Sequence, residues 1–268
     1  MSTKTDNAQQ ARRWMAAVEN NPTWRKYCRK SLDKLSHRKG ELVTKDEIGY
    51  ITRALQDLKG DEFRPIIEVT THTTYDEIIE SYEASDIEVA VLNFASYFNC
   101  GGGFLKGAIA QEESLCHASG LYKILSESEI YNDRDDKTKI PAEYYNEVIY
   151  TPGVPFTTSE GYVTQAYLVD VISVAAPNCN RVPIARYNQY LKALRKRIEA
   201  IFIIPYLNGA QTLILGAWGC GVFKNEPKLI AQYFEETSQK YGNLYKAIKY
   251  AIPNEVVFDV FNNIITKG

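Results

Sequence analysis

Two adjacent glutamates, Glu112 and Glu113, follow three consecutive glycines in the stretch VLNFASYFNCGGGFLKGAIAQEESL, residues 91–115. Carboxyl groups that a fold holds in position can transfer protons in catalysis. Glycines let the main chain approach a ligand closely, so that several backbone N–H groups can converge on a phosphate. The stretch therefore combines groups for proton chemistry with groups for phosphate binding, and its function depends on whether both serve one ligand.

The two glutamates are expected to have different roles. Neighbouring residues of a helix point about 100° apart, so Glu112 and Glu113 cannot occupy one position. A purely structural explanation exists, because acidic residues in the first turn of a helix stabilise its dipole by ~0.3–1 kcal/mol. That explanation accounts neither for the neighbouring amide of Gln111 nor for the glycines.

A second glycine cluster lies in LILGAWGCGVFKNEP, residues 213–227, and it again leads from an apolar strand towards a helix. Taken alone, the first cluster could be a tight structural turn. The second could be a plain strand-to-helix turn with Trp218 and Phe223 in the core. Two such loops in one sheet could instead hold a diphosphate from both sides, because phosphates favour the N-termini of helices that follow strands. The pair of loops therefore favours a nucleotide-diphosphate site.

Two common phosphate motifs are excluded. The pattern GxxxxGK[ST] fails because Gly107 is followed by Ala108, and GxGxxG fails because Lys106 occupies the place of the third glycine. The loop is therefore neither a P-loop nor a dinucleotide fingerprint.

The elements that position these loops are short apolar runs alternating with helices from about residue 64. Several runs are rich in Val and Ile without polar alternation, which is typical of strands buried on both faces of a parallel sheet. Residues 126–146 form a charged connection that we expect on the surface. Strands are predicted at 65–70, 88–95, 147–151, 166–176, 212–217 and 255–261. Helices are predicted at 75–84, 109–126, 187–202, 227–241 and 243–250.

The first sixty residues differ from the rest of the chain in their predicted secondary structure and in their charge. Residues 8–58 are predicted to be mainly helical, and residues 11–60 contain twelve Lys and Arg against six Asp and Glu. This basic character is typical of a solvated helical face, or alternatively of an added layer beside a phosphate-rich ligand.

Composition limits the possible functions. The net charge of −2 provides no overall attraction to nucleic acid, and no apolar run approaches the length of a membrane span. The three histidines are far apart, and the five cysteines have no CxxC spacing, so neither a metal site nor a disulfide framework is indicated. A reducing cytoplasmic setting, or a nuclear one in a eukaryote, is expected.

The motifs resemble the signature of the microbial-type poly(ADP-ribose) glycohydrolases, a branch of the macrodomain fold. That signature is a GGG run, a spacer of six to eight residues and then QEE; here Gly101–Gly103 are followed by a spacer of seven and by Gln111-Glu112-Glu113. The similarity extends through VDVISVAAPN (169–178) and the second glycine loop to EVVFDVF (255–261), regarded as the closing strand. Cys100 replaces the proline that commonly precedes the glycines, and we interpret it as a small buried residue rather than an oxidisable thiol.

The resemblance implies a fold and a division of the chain. The fold class is α/β, a macrodomain-like three-layer α/β/α sandwich with a mixed, mostly parallel sheet and an N-terminal helical extension. Residues 1–60 would form a helical accessory region, and residues 61–268 the catalytic domain.

The resemblance also implies an activity. The enzyme would be a glycosidase that hydrolyses the ribose–ribose O-glycosidic bonds of poly(ADP-ribose) and releases ADP-ribose through an oxocarbenium-like transition state. Glu113 would be the general acid and base, with a raised pKa, and Glu112 would hold ribose hydroxyls. Asn99 would contact a ribose hydroxyl, Gln111 would belong to the substrate site, and Phe223 would place its ring against the distal ribose. Backbone N–H groups for the diphosphate would come from Gly101, Gly102, Gly103, Gly219, Cys220, Gly221 and Val222.

Two alternatives remain open at this point: a macrodomain that binds ADP-ribose without cleaving it, and a hydrolase of mono-ADP-ribosylated substrates. The intact carboxylate pair favours an enzyme over a binding module. No metal and no cofactor are expected. Poly(ADP-ribose) and ADP-ribose are the expected ligands and ADP-ribosylated proteins the expected partners, with no membrane, no direct nucleic-acid binding and a monomeric protein. Attack from chain ends or from within the polymer, and the residues that bind adenine, are not determined by the sequence.

Overall fold

The computed structural model of the protein describes residues 3–58, 64–84, 88–132, 134, 146–159 and 166–266. The greater part of the connection predicted at 126–146 lies outside the described residues. The strands are β1 (Ser36–Lys39), β2 (Ile66–Thr70), β3 (Val89–Asn93), β4 (Glu147–Phe156), β5 (Tyr167–Ser173), β6 (Thr212–Gly216) and β7 (Ala247–Ala251). The α-helices are α1 (Lys4–Asn20), α2 (Pro22–Lys34), α3 (Lys45–Asp57), α4 (Thr74–Ala84), α5 (Gln111–Ala118), α6 (Leu121–Glu127), α7 (Tyr187–Leu207), α8 (Pro227–Tyr241) and α9 (Glu255–Ile265).

The described strands form one sheet in the order β1-β4-β5-β3-β6-β7-β2. β3 pairs in parallel with β5 and β6, and β7 pairs in parallel with β6 and β2. β4 is antiparallel to both β5 and β1. The prediction of a mixed, mostly parallel sheet is confirmed. All residues of β3 and β6 are buried, as expected for central strands that are covered on both faces.

Helices cover both faces of the sheet, which gives three layers. Along β3, Ala90 and Leu92 contribute to one core cluster, while Val89 and Val91 contribute to the other. Helices α3, α7, α8 and α9 pack against the first face, and α1, α2, α4, α5 and α6 pack against the second. The α/β/α sandwich implied by the family resemblance is therefore confirmed. No helix within the described residues combines the length and apolar character needed to cross a bilayer.

Residues 255–261 form a helix, and the prediction of a closing strand there was wrong. The side chain of Asn254 accepts a hydrogen bond from the N–H of Val257 at 3.0 Å and thereby caps the first turn of α9. The buried residues Phe261 and Ile265 are four positions apart, which is a helical spacing. The β-branched composition of the run favoured a strand, but the cap and the longer period determine the structure.

Residues 247–251 form β7, where a helix was predicted. This short segment lies between β6 and β2 and pairs with both in parallel. Ile248 and Tyr250 are buried, whereas Lys249 between them is half-buried. Pairing on two sides therefore outweighs the helical propensity of the two alanines and the lysine in this segment.

The helix predicted at 109–126 is two helices. Ser119 adopts an extended conformation and forms an isolated bridge with Phe156 of β4. Gly120 has no space for a side chain, because a Cβ there would lie 2.5 Å from the sulfur of Cys28. α5 is therefore a short helix of eight residues that carries both glutamates in its first turn.

The N-terminal residues contain a strand as well as helices. β1 is an edge strand that pairs with β4, and it was not predicted. Thr3 and Thr44 begin α1 and α3 with capping boxes, and Trp24 is fully buried in the same core cluster as Phe104 of the first glycine loop. The division of the chain at residue 60 stays a prediction.

Candidate active site

The two glycine-rich loops begin at the carboxyl ends of neighbouring strands. The first follows β3, which ends at Asn93, and the second follows β6, which ends at Gly216. Because β3 and β6 pair in parallel, both loops leave the same edge of the sheet. Phe94 lies directly against Gly216, where an added Cβ would be 3.0 Å from the Cζ of the phenyl ring. The loops therefore lie side by side at the edge where ligands bind in open α/β sheets.

The first loop brings the main chain against both carboxylates. Gly101 and Gly102 each have a φ of 62°, a left-handed conformation that favours glycine. A Cβ on Gly102 would clash with Oε1 of Glu113 and lie 2.9 Å from Oε2 of Glu112. The two carboxylates point apart on their helix, yet both lie against this one glycine.

Glu113 is the third residue of α5, and its buried carboxylate is held by backbone N–H groups. The N–H of Gly103 donates to Oε1 at 2.6 Å, and the N–H of Ala110 donates to Oε2 at 3.1 Å, which caps the helix. The N–H of Gly102 donates to the carbonyl of Asn99 at 2.9 Å. Two of the three N–H groups proposed for the diphosphate thus have partners within the protein and instead position Glu113 and its loop.

Glu112 occupies a drier position. The N–H of Ser96 donates to its Oε2 at 2.7 Å, and the side-chain amide of Asn93 donates to its Oε1 at 3.4 Å. Burial, together with the charge of Glu113, raises the pKa of Glu112 to about 8. This raised pKa favours a protonated Glu112 near neutral pH. The raised pKa that the sequence analysis expected at Glu113 stays a prediction.

Gln111 links α5 to the end of β3. Its side-chain oxygen accepts from the N–H of Phe94 at 2.9 Å, and its side-chain nitrogen donates to the carbonyl of Leu92 at 2.7 Å. The same nitrogen lies 3.3 Å from the hydroxyl of Thr74. With both amide atoms engaged, Gln111 fixes the position of the helix that carries the glutamates.

Asn93 was missed by the sequence analysis. It is fully buried, its Nδ2 donates to Glu112 and, at 3.0 Å, to the hydroxyl of Ser173, and its Oδ1 has no partner among the described residues. The sequence did contain a signal for this residue. Asn93 is the polar end of an otherwise apolar strand, and ligand sites lie at the carboxyl ends of parallel strands.

Asn99 and Cys100 precede the glycines. The side chain of Asn99 is exposed, and its Nδ2 lies 3.5 Å from the hydroxyl of Ser96, so it remains accessible to a ligand. Cys100 is half-buried, and burial raises the pKa of its thiol to about 12. The neutral thiol agrees with its interpretation as a packing residue.

The second loop presents open backbone donors. Within the described part of the chain, no acceptor is bonded to the N–H groups of Gly219, Gly221, Val222 and Phe223. The N–H of Cys220 donates to Ala217 at 3.1 Å. A Cβ on Gly221 would meet nothing within 4 Å, so this part of the loop faces open space. Convergent unpaired N–H groups of this kind bind anions.

Buried polar side chains fix the shape of the second loop. Asn225 donates to the carbonyls of Pro177 and Gly219 at 3.1 Å each, and it accepts from the hydroxyl of Tyr190 at 2.7 Å. Trp218 is fully buried and donates to the carbonyl of Val174 at 2.8 Å. Gly219, with a φ of 77°, leaves room for the Asn225 amide.

The two remaining side chains predicted in the second loop lie at its core side. The ring of Phe223 is half-buried and packs against the core cluster on the α7 and α8 face. Cys220 is half-buried, and burial raises the pKa of its thiol to about 12, so its thiol is neutral.

A clamp around Arg134 holds the segment between β3 and the glycines. The guanidinium lies between the rings of Tyr97 and Tyr131, 4.6 and 4.4 Å from their centroids. It donates to the carbonyl of Tyr97 at 2.7 Å and pairs with Glu147, which also contacts His37 of β1 at 2.9 Å. Residues so distant in sequence gave no signal of this arrangement.

A further polar cluster lies where β2 ends. Donor atoms of His72, Glu77 and Glu80 are within 4.8 Å of one another, a grouping that the spacing of the histidines did not predict. Lys249 of β7 already places its ammonium 3.2 Å from the buried Glu77. An internal cation thus balances the carboxylate, which explains how Glu77 is accommodated in the fold.

The fold and the paired loops define a macrodomain-like protein with open backbone N–H groups at one edge of the sheet and two carboxyls beside them. Residues 10–158 match the family model of the catalytic domain of microbial-type PARG, the poly(ADP-ribose) glycohydrolases. The chain belongs to this family. Its assignment as a glycosidase that acts on poly(ADP-ribose) is thereby confirmed.

Solved structures of bacterial glycohydrolases share the fold over most of their length. The Deinococcus radiodurans enzyme in complex with ADP-ribose is 26% identical, with 90% of this chain and 97% of that chain covered and a TM-score of 0.75. The Thermomonospora curvata enzyme is 25% identical, with 96% and 98% covered and a TM-score of 0.78. Its complex with the inhibitor ADP-HPD is 26% identical, with the same coverage and a TM-score of 0.76. No curated protein matches the sequence.

Proposed function

We propose that this enzyme cleaves the ribose–ribose bond of poly(ADP-ribose) with Glu113 as general acid and base and Glu112 as the group that orients the ribose. The supporting observation is the convergence of both carboxylates on Gly102, next to the open N–H groups of the second loop. A diphosphate bound by those N–H groups would place the neighbouring ribose beside the carboxyl pair.

The proposed reaction requires one protonated carboxyl. In the first step the carboxylic acid of Glu113 gives its proton to the leaving ribose oxygen while the glycosidic C–O bond breaks, and an oxocarbenium ion forms. In the second step the resulting carboxylate removes a proton from water, whose oxygen bonds to the same carbon. Negative charge from the diphosphate favours a protonated state of the pair. Glu112, whose pKa is raised, holds this proton before the substrate binds. The proton passes to Glu113 for the first step, and the carboxylate of Glu112 then accepts a hydrogen bond from a ribose hydroxyl.

The remaining predicted residues have supporting roles in this proposal. Gly219, Gly221 and Val222 bind the diphosphate through their N–H groups, with Cys220 as part of the same loop. Phe223 places its ring against the distal ribose, and Asn99 contacts a ribose hydroxyl. Gly101 and Gly103 position the glutamates as well as the ligand, and Gln111 acts through the helix rather than by direct contact. ADP-ribosylated proteins are the partners that this activity implies, and a monomer that binds no nucleic acid remains a prediction.

Replacing Glu113 tests the assignment. Glu113→Gln keeps an acceptor for the N–H of Gly103 but cannot transfer a proton, so we expect polymer hydrolysis to fall at least ~10²-fold while the Kd for ADP-ribose is unchanged. The measurements are release of ADP-ribose from purified polymer and calorimetric binding. Glu41→Gln, at an exposed carboxylate between β1 and α3, is the matched control and should behave as wild type.

The same assays separate the alternatives. A binding module would bind ADP-ribose and release none from either substrate, and a hydrolase of single modifications would act on mono-ADP-ribosylated protein but not on polymer. Polymer digestion by Glu113→Gln at the wild-type rate would refute the role of Glu113.

A further inference from the structure

The segment between β5 and α7 is packed onto the outer side of the second glycine loop. The N–H of Cys179 donates to the carbonyl of Phe223 at 2.9 Å, and the side-chain amide of Asn180 donates to the carbonyl of Val222 at 3.2 Å. This segment follows β5 and rests on the loop that follows β6, and those two strands flank β3. The segment therefore spans β3, the strand that leads through the first glycine loop to the glutamates of α5. We refer to residues 178–187, together with Val222 and Lys224, as the outer lip.

The outer lip exposes apolar side chains at the rim of the site. Ile184 is 95% exposed, Val222 is 79% exposed and Tyr187 is 47% exposed. The ring of Tyr187 lies 5.4 Å from that of Tyr190, whose hydroxyl is bonded to Asn225 of the second loop. Tyr187 is thus anchored on one side and open on the other, as required of a platform for a stacked base.

The outer lip contains three cations, Arg181, Arg186 and Lys224, of which Arg186 is half-buried. Arg181 and Lys224 are both exposed, and the ion pairs among the described residues involve neither of them. The acidic residue nearest in sequence, Glu226, already accepts the N–H groups of Lys228 and Leu229 at the start of α8. The positive charge of the outer lip is therefore available to an anionic ligand.

The combination of an open aromatic ring with unpaired cations is the arrangement that binds single-stranded nucleic acids. Each unit of poly(ADP-ribose) offers the same chemistry, an adenine for stacking and a diphosphate for the cations. Because the net charge of the whole chain is −2, attraction to this polyanion must come from local groups. On the basis of the function proposed above, we propose that the outer lip binds the ADP-ribose unit adjacent to the one whose glycosidic bond is cleaved.

The charge contribution is tested with the double variant Arg181→Gln/Lys224→Gln. We expect its KM for long chains to rise about tenfold, and the dependence of log(kcat/KM) on log salt to flatten by about 1.4, because two phosphate contacts are lost. The Kd for free ADP-ribose, measured by calorimetry, should not change. Lys26→Gln/Lys45→Gln removes the same charge from exposed positions on α2 and α3 and should leave all three quantities unchanged.

The stacking contribution is tested at Tyr187. Tyr187→Ala should raise the KM for long chains about tenfold, whereas Tyr187→Phe retains a ring and should restore the wild-type value. Wild-type KM and salt dependence in both the double variant and Tyr187→Ala, in preparations that still cleave polymer, would overturn the proposal. A wild-type protein that does not cleave polymer would instead overturn the proposed function, so the two failures are distinguishable.

Discussion

At the scale of single residues, the site depends on the missing side chain of Gly102. Its main chain fills the space between the carboxylates of Glu112 and Glu113, and its φ of 62° is unfavourable for other residues. The glutamates in turn depend on N–H groups from Ser96, Gly103 and Ala110. The question posed by the sequence therefore has a direct answer: the glycines and the glutamates form one unit, with Gly102 in contact with both carboxylates.

Gly102→Ala should disable the enzyme at modest cost in stability. The new Cβ displaces both carboxylates, and a misplacement of about 1 Å can cost ~10²-fold in rate. The left-handed conformation adds about 1–2 kcal/mol of strain. Gly40→Ala is the control, because Gly40 has a φ of 73° and open space around its Cβ position.

Steady-state polymer hydrolysis and urea unfolding distinguish the two effects. Both variants should lose similar stability, and only Gly102→Ala should lose activity. Equal activity of the two variants would show that the approach of the carboxylates to Gly102 is unimportant for catalysis.

The buried carboxyl of Glu112 should make stability depend on pH. Its pKa is raised from 4.5 to about 8 in the folded protein, so between these values the folded state retains a proton that the unfolded state releases. The free energy of unfolding contributed by this group therefore falls as pH rises through that range, by up to about 1.4 kcal/mol per pH unit.

Glu112→Gln removes this titration while keeping an acceptor for the N–H of Ser96. Its free energy of unfolding relative to wild type should increase with pH across the same range, as measured by urea unfolding at a series of pH values. A difference that is constant with pH would exclude a raised pKa for Glu112.

At the scale of elements, α5 is short and depends on Gln111 for its attachment to β3. Gln111→Ala leaves the N–H of Phe94 and the carbonyl of Leu92 without partners, which should cost about 1–3 kcal/mol of stability. Because the helix then shifts relative to β3, kcat should fall more than KM rises.

The control for this variant is Gln239→Ala, which removes an exposed amide on the surface of α8 whose hydrogen-bond partner among the described residues is Glu235. This variant should change stability by less than about 0.5 kcal/mol. If Gln111→Ala lost stability with kcat intact, the amide would support the fold and not the geometry of the site.

The elements differ in how well the sequence predicts them. β3 and β6 could be predicted because central strands are apolar throughout, and α8 because Glu226 and Pro227 mark its start. α9 and β7 were exchanged, because their short apolar runs have no period that separates strand from helix until caps and pairing partners are known. The loops and the glutamates could be predicted from their motifs, whereas Asn93 and Arg134 depend on contacts that no local pattern shows.

At the scale of the whole molecule, the N-terminal helices support the first glycine loop. The side chain of Asn7 on α1 donates to the carbonyl of Gly107 at 3.3 Å, and a Cβ on Gly107 would clash with the carbonyl of Lys4. Trp14 donates to the carbonyl of Ser119, just after α5, at 3.0 Å. The helix α5 is therefore held between β3 on one side and the N-terminal region on the other.

These contacts suggest a decisive test of the division at residue 60. Trp24 is fully buried, packs edge-to-face against Trp14 and shares a core cluster with Phe104, so Trp24→Ala should cost about 3–5 kcal/mol of stability.

If the N-terminal region and the sheet fold as one unit, thermal unfolding by circular dichroism and loss of activity on heating should coincide in one transition. The variant should lower the Tm of that single transition by about 10 °C, while Val256→Ala, at an exposed position on α9, should leave it in place. Two transitions, of which Trp24→Ala shifts only one, would instead establish residues 1–60 as a separate unit.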